Sequence, residues 1–309
     1  MSKRMRWAWM ALFILLAMAA IIINMHSRRI LVVHEALPDS LSAKAFKRSV
    51  ETTLQALPRL KVRYQYLGFD PDICQSILAQ LKAFDPDTVI AEGAGARQCL
   101  NTTVAPAIVS MADIPTTDPD RRQHILAWKR LLHDLSPAGG HMLAFRGEGA
   151  QSQAEIDALN EAAQAAGIQL EVWPDSAAKD PKQLKALLAQ NPPQLVFFGH
   201  TAGWSWQDKK QNAQASQAQL LMALRAQTSA PILSSRLENL LQGADMVLAQ
   251  APEQRGEFLA RAAWAQSAQP PMPYEMAVGL SKNFAAQQRS MLPPFYELSA
   301  HMAGFLAGP

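Results

Sequence analysis

A short glycine-containing turn offers the clearest binding chemistry in the sequence. Residues 89–91 form an apolar run that predicts a strand, and Gly93, Ala94 and Gly95 follow it as a turn. A helix is predicted from Ala96 to about residue 104. The first N–H groups of a helix have no partner within it, so those of residues 95–97 favour a carboxylate or another anion.

Other side chains near predicted strand ends could complete a site around such an anion. Arg146 could pair with it through two hydrogen bonds, although a solvated surface arginine fits the sequence equally well. His200 follows a strand, and Trp204 could either stack on a ligand or pack a hinge. The full set of candidate ligand-binding residues is Glu35, Gly93, Ala94, Gly95, Asp113, Arg146, His200 and Trp204.

The sequence contains none of the common signatures of catalysis or cofactor binding. It has no G-x-S-x-G, H-E-x-x-H, G-x-x-x-x-G-K or C-x-x-C motif. A dinucleotide fingerprint beginning at Gly93 would place its third glycine at Gln98. The acidic residues near strand ends have no spacing that defines a general acid and base. We therefore predict no enzyme activity, no metal site and no cofactor.

Composition and charge restrict the class of protein further. Apolar residues make up 49% of the 309-residue chain and charged residues 18%, which is typical of a globular protein with a buried sheet. The net charge of +3 is small and scattered, so no nucleic-acid-binding surface is predicted. The length favours two lobes over a single core.

The amino terminus carries an apolar segment. Residues 7–24 hold no charge and, as a helix, would extend roughly 27 Å, close to the thickness of a bilayer core. Basic residues precede and follow the segment. We predict an inner-membrane anchor at residues 1–29 with the remainder in the periplasm. Because Ala17-Met18-Ala19 resembles a signal-peptidase site, a cleaved signal and a soluble periplasmic protein are the alternative.

Apolar runs and helical periodicities alternate through the rest of the chain. Strands are predicted at residues 30–34, 61–67, 89–91 and 107–111, then again at 141–145, 168–173, 195–198, 232–233 and 246–249. This predicts an α/β fold of two doubly wound parallel-sheet lobes joined by a hinge. The first lobe would comprise residues 30–117 plus about 245–272, and the second 118–244 plus about 273–309.

The two cysteines of the chain lie on helices predicted to be neighbours. With the strand order 2-1-3-4, Cys74 and Cys99 would occupy early turns of adjacent helices on one sheet face. An exported compartment permits a disulfide between them. Two small buried side chains are the alternative.

Two stretches resemble a known family. DPDTVIAEGAGARQCL at 85–100, followed by APAIVSMADIPTTDP at 105–119, resembles the first-lobe signature of the ABC-transporter substrate-binding family that includes tryptophan- and tyrosine-uptake proteins. VGLSKNFAAQQRSMLPPFYELSAHM at 278–302 is similar to its closing pattern, with comparable places taken by Asn283, Ala285, Ala286, Pro294 and Leu298.

The resemblance implies a periplasmic binding protein of type I that captures a small molecule, such as an amino acid or related carboxylate, and delivers it to an ABC permease and its ATPase. The sequence departs from the family at Ala94, where a hydroxyl residue is usual, and at residues 121–124, where a glycine-rich segment is expected. The missing hydroxyl at Ala94 and an uncleaved anchor favour an alternative: a membrane-anchored ligand sensor or scaffold that kept the fold without transport.

Overall fold

The computed structural model describes residues 27–55, 60–68, 72–101, 107–111, 118–200, 202, 213–265, 276–281 and 284. In this part of the chain strands and helices alternate from the first strand onward. The described elements of the first half are β1 (Arg28–His34), α1 (Leu41–Leu54), β2 (Leu60–Tyr66), α2 (Ile73–Phe84), β3 (Thr88–Glu92), α3 (Ala94–Leu100) and β4 (Ala107–Met111).

The second half continues the alternation. Its elements are α4 (Asp118–Leu135), β5 (Gly140–Arg146), α5 (Ala150–Ala165), β6 (Ile168–Pro174), a 3-10 turn (Asp175–Lys179), α6 (Pro181–Gln190), β7 (Leu195–Phe198), α7 (Ala213–Gln227), β8 (Ile232–Ser234), α8 (Asn239–Gln242), β9 (Met246–Gln250), α9 (Pro252–Ala265) and β10 (Met276–Leu280).

The strands form two sheets, one in each lobe. The first sheet has the order β2-β1-β3-β4 and is parallel throughout its described strands. The second has the order β10-β9-β8-β7-β5-β6 and is parallel except for the antiparallel pair of β9 with β10. The prediction of an α/β fold built on parallel sheets is confirmed.

Helices cover both faces of each sheet, as the alternation of buried side chains along the central strands shows. In β1, Ile30 and Val32 pack with α1 and α9, whereas Leu31 and Val33 pack with α2 and α3. Successive side chains of a strand point to opposite faces, so a strand that is apolar at every position must be covered twice. The run LVFF of β7 behaves in the same way in the second lobe.

The chain returns to the first lobe later than the sequence predicts. Residues 245–272 were assigned to that lobe, but β9 pairs with β8 and β10 in the second sheet. Among the described residues of this stretch, those of α9 alone belong to the first lobe, where the helix packs along α1. Gly256 permits this packing, because a Cβ there would lie 2.7 Å from the Phe46 carbonyl oxygen. The crossing therefore falls at residues 250–252, between β9 and α9.

The predicted membrane anchor at residues 7–24 lies outside the described residues. In the described part of the chain, no helix combines the length and the apolarity needed to cross a bilayer.

A disulfide joins Cys74 of α2 to Cys99 of α3, with a Cα–Cα distance of 5.7 Å. Of the two alternatives left by the sequence, the structure has the bridged one. The bond ties two helices that cover the same face of the first sheet.

Loss of this disulfide should destabilise the protein. The bridged residues are 25 apart in sequence, and cross-linking a loop of that size contributes about 3 kcal/mol by restricting the unfolded chain. We expect a Cys74→Ala/Cys99→Ala variant to lose about that much in chemical unfolding. Reductant should lower the stability of the wild type to the same level and leave the variant unchanged. Two thiols that react with an alkylating agent in the unfolded, unreduced protein would contradict the bridge.

Candidate functional site

A cleft lies between the two lobes, at the carboxyl ends of their strands. Its volume is about 120 Å³, roughly ten times the space that one water requires. Strand ends of this kind are where open α/β sheets bind their ligands. The described lining includes His34, Glu35, Ser42, Glu92 and Gly93 from the first lobe, His124, Gln151, Glu155, His200, Ser235, Arg236 and Glu238 from the second, and Gln250, Pro252 and Arg255 at the crossing.

The cleft gathers some of the residues predicted from the sequence. Glu35, Gly93 and His200 line it, and Ala94 and Gly95 begin the helix beside it. Asp113 and Trp204 lie outside the described residues.

Arg146 does not line the cleft, contrary to the prediction. Its guanidinium donates to Gln153 Oε1 on α5. It lines a separate pocket of about 470 Å³ with Glu148 and Asp175. Arg146 ends β5, which lies beside the edge strand β6, and in the described part of the chain Arg146 lines no pocket in common with Gly93. It therefore does not face the glycine turn.

The glycine turn does not present an open anion site. Helix α3 is only seven residues long and begins at Ala94. The carboxylate of Glu35 lies over the turn, where a Cβ on Gly95 would be 3.2 Å from Glu35 Oε1 and one on Gly93 would collide with Oε2. The protein's own carboxylate therefore lies where the sequence predicts a ligand anion.

Gly93 should be intolerant of any side chain, and Gly149 provides a matched control. Gly93 has φ 94° and ψ 162°, and Gly149, which precedes α5, has φ 96° and ψ 166°. This backbone region costs a residue other than glycine about 1–3 kcal/mol. A Cβ at Gly149 meets nothing within 4 Å, whereas one at Gly93 meets Glu35. We expect Gly93→Ala to lose about 1–3 kcal/mol more than Gly149→Ala in urea unfolding. Equal losses would contradict this placement of Glu35.

Arg255 and Glu92 form a buried ion pair at the first-lobe side of the cleft. Nε of Arg255 lies 3.0 Å from Glu92 Oε1, and Nη2 donates to Oε2 at 3.0 Å. The two side chains are 9% and 11% exposed. Glu92 ends β3 and Arg255 lies in the first turn of α9. The pair therefore holds α9 against the end of β3 in the first sheet.

Glu238 carries a second buried ion pair and a contact between the lobes. Arg236 Nε lies 3.9 Å from its carboxylate, and the hydroxyl of Ser42 on α1 donates to its Oε1. Burial opposes ionisation of Glu238, but Arg236, the Ser42 hydroxyl and His34 together outweigh it and lower its pKa. Glu238 is therefore ionised at neutral pH, and its hydrogen bond with Ser42 bridges the lobes.

Glu155 organises the second-lobe side of the cleft. Its Oε2 accepts from the His200 backbone N–H at 2.7 Å, and its Oε1 accepts from the Ser235 hydroxyl. Sequence spacing predicts instead a capping box of Ser152 and Glu155 at the start of a helix. That prediction is wrong, because Gly149 is the N-cap and α5 begins before Ser152. Glu155 is thereby left to bind the segments that follow β7 and β8.

His124 faces the cleft from α4 and is uncharged at neutral pH. It is 5% exposed. Burial, aided by the nearby charge of Arg121, lowers its pKa from 6.5 to about 4. His124 lies in the segment where the sequence departs from the family that it resembles. Its place in the cleft lining was not predicted from the sequence.

The titration of His124 should destabilise the protein in acid. Above pH 6.5 the histidine is neutral in both states and contributes no pH dependence. Between pH 6.5 and about 4 only the unfolded chain binds the proton, so stability falls with pH by about 3 kcal/mol in total. We expect His124→Gln to show a smaller loss of unfolding free energy between pH 7 and pH 4 than the wild type. Parallel losses in the two proteins would contradict the shift.

Gln250 is a cleft residue whose two carboxamide heavy atoms both lack partners among the described residues. It is the last residue of β9 and is 7% exposed. Neither Nε2 nor Oε1 of its carboxamide has a hydrogen-bond partner among the described residues. A buried polar group without a partner costs about 1–3 kcal/mol. A ligand in the cleft could supply the missing hydrogen bonds.

The described residues contain no group of His, Cys, Asp and Glu side chains arranged to hold a metal ion. Charges in the described lining are instead balanced largely by ion pairs and hydrogen bonds within the protein. The site is thus suited to holding a polar molecule by hydrogen bonds.

No protein-family model and no curated protein sequence matches the chain. Solved structures do match its fold. A domain from Streptococcus pneumoniae in complex with L-Trp has a TM-score of 0.64 at 12% identity, over 88% of this chain and 98% of that one. A conserved domain protein from Vibrio cholerae has a TM-score of 0.61 at 15% identity, with the same coverage.

An arabinose-binding protein from Geobacillus stearothermophilus has a TM-score of 0.58 at 13% identity, over 84% of this chain and 98% of that one. The chain therefore has the type I periplasmic-binding-protein fold, which it shares with solute-binding proteins of ABC transporters. At these identities the likeness concerns the fold alone.

Proposed function

We propose that this protein is an extracytoplasmic solute-binding component of an ABC importer, which captures a small molecule between its two lobes. The observation that carries the proposal is Gln250, a buried carboxamide without a partner among the described residues, in the lining of the interlobe cleft. The fold of the chain supports the same role. The proposal includes an inner-membrane anchor at residues 7–24 and delivery of the solute to a permease.

The proposed mechanism is ligand-stabilised closure of the lobes. Gln250 lies two residues before the start of α9, where the chain crosses from one lobe to the other. A molecule that contacts Gln250 together with groups of both lobes would bind the closed arrangement more tightly than an open one. It would then shift the population toward closure by its difference in affinity for the two states.

Ligand binding can be tested by thermal unfolding of the purified full-length protein against sugars and amino acids. A ligand at 100 times its Kd adds roughly 2.7 kcal/mol to the stability of the folded state. We expect at least one compound to raise the melting temperature in a dose-dependent way. A flat response across both classes would argue against the solute-binding role.

A sensor or scaffold that kept the fold would bind a ligand without importing it. Uptake of the radiolabelled ligand in cells with and without the gene separates the two functions. Loss of uptake on deletion supports import, and unchanged uptake supports sensing.

A further inference from the structure

We propose that the cleft selects a hydroxyl-rich molecule without negative charge, such as a neutral sugar, and rejects carboxylates. This inference rests on the proposed solute-binding function and names the class of solute. It departs from the amino-acid or carboxylate ligand that the sequence resemblance implies. Four observations about the described lining carry it.

The two guanidinium groups of the described lining already hold carboxylates of the protein. Arg255 binds Glu92 through two N···O distances of 3.0 Å. Arg236 lies beside Glu238 and also donates to Gln217 Oε1 at 3.1 Å. A ligand carboxylate would have to displace one of these partners. It would then leave a buried glutamate without its counter-ion, which is costly.

The glycine turn is also closed to anions. The Glu35 carboxylate lies against the turn, with Oε1 3.2 Å from the position of a Cβ on Gly95. A second anion at this turn would meet a like charge in a buried place, where repulsion costs several kcal/mol.

Carboxylates outnumber guanidinium groups in the described lining. It holds four carboxylates, those of Glu35, Glu92, Glu155 and Glu238, against the two guanidinium groups. His124 adds no positive charge at neutral pH because its pKa is lowered to about 4. The excess of negative charge disfavours any ligand that carries a carboxylate or a phosphate.

Gln250 sets the hydrogen-bonding requirement. Its carboxamide has two N–H donors and one acceptor oxygen, and both heavy atoms lack partners among the described residues. A hydroxyl group both donates and accepts, so neighbouring hydroxyls can pair with both ends of the amide. The carboxylates around it are acceptors that suit further hydroxyl donors. A neutral polyol thus meets the needs of the lining without adding charge.

Sugars that differ at one functional group, a hydroxymethyl or a carboxylate, test the inference. We would measure the affinity of the full-length protein at pH 7 for glucose, galactose and arabinose, for glucuronate and galacturonate, and for tryptophan and tyrosine. We expect at least one neutral sugar to bind. The uronate related to a neutral hexose that binds should bind at least about tenfold more weakly, since one like-charge contact costs more than 1.4 kcal/mol.

The outcomes separate the inference from the function on which it rests. Tighter binding of a uronate than of its neutral parent would overturn the inference. Binding of an amino acid without binding of any sugar would overturn it too, while the solute-binding role would stand. Absence of binding in every class would overturn both.

A variant of Glu35, whose carboxylate is proposed to repel anions, provides an independent check. Glu35→Gln removes the charge over the glycine turn with little change of shape. In this variant, we expect the ratio of the affinity for the neutral sugar to the affinity for its uronate to be several-fold smaller than in the wild type. An unchanged ratio would show that Glu35 does not exclude anions.

Discussion

Replacement of Arg255 by methionine should destabilise the protein by about 3–5 kcal/mol, the cost of leaving one member of a buried ion pair without its partner. The partner is Glu92, which is 11% exposed and pairs with Arg255 through two N···O distances of 3.0 Å. Because the pair fastens α9 to the end of β3, its loss should also weaken the return of the chain to the first lobe. Urea unfolding of the purified protein would measure the effect.

Two further variants separate charge pairing from simple loss of a side chain. In Arg255→Met/Glu92→Leu both charges are absent, so most of the lost stability should return. Arg261→Met is the matched control on the same helix. Arg261 is 70% exposed and pairs with Glu257, so its loss should cost less than about 1 kcal/mol. Similar losses for Arg255→Met and Arg261→Met would show that the buried pair has no special role.

Replacement of Gln250 by leucine should change stability and binding in opposite directions. Leucine removes two buried polar atoms that lack partners among the described residues, so the protein without ligand should gain about 1–3 kcal/mol. The same change removes the proposed ligand contacts, and we expect at least about a tenfold loss of affinity, equal to 1.4 kcal/mol. Chemical unfolding and titration calorimetry on the same preparations measure both effects.

Gln242 on α8 provides the matched control for Gln250. Its Oε1 is also buried and without a partner among the described residues, but it does not line the cleft. Gln242→Leu should leave affinity for the ligand unchanged. If Gln250→Leu binds as tightly as the wild type, the carboxamide has no part in the site.

The fold could be predicted from the sequence because the hydrophobic patterns of short stretches indicate its strands and helices. The run ILVV at residues 30–33 is buried on both faces of a central strand, and such runs alternate with helical periodicities in both lobes. The predicted return to the first lobe at about residue 245 failed for a related reason. The pattern of apolar residues along a strand does not indicate which sheet the strand joins. Strand β9 belongs to the second sheet, where it pairs with β8 and β10.

The candidate site could be predicted only where it follows strand ends. Glu35, Gly93 and His200 follow β1, β3 and β7, and all three line the cleft. Gln250 stands just after the predicted strand at 246–249, so the same rule could have found it. Arg255 and His124 lie on helices, where no local signal marks a side chain that lines the cleft.

The directions of side chains near the site could not be predicted from the sequence. Arg146 also ends a strand, yet its guanidinium turns to Gln153 on α5. Glu155 has the sequence spacing of a capping box, but its carboxylate instead accepts hydrogen bonds from His200 and Ser235. Both outcomes depend on which groups the folded chain brings near, and spacing along the sequence does not contain that information.

Hydrogen exchange with and without the compound that raises the melting temperature most would test the central claim, that a small molecule binds between the lobes. We expect slower exchange in peptides from both sides of the cleft, at residues 34–42, 92–97 and 234–250, and no change at residues 72–84 or 168–190. Protection confined to the groove between α1 and α9, which is lined by Arg48, Thr52 and Trp264, would place the ligand elsewhere and contradict the account.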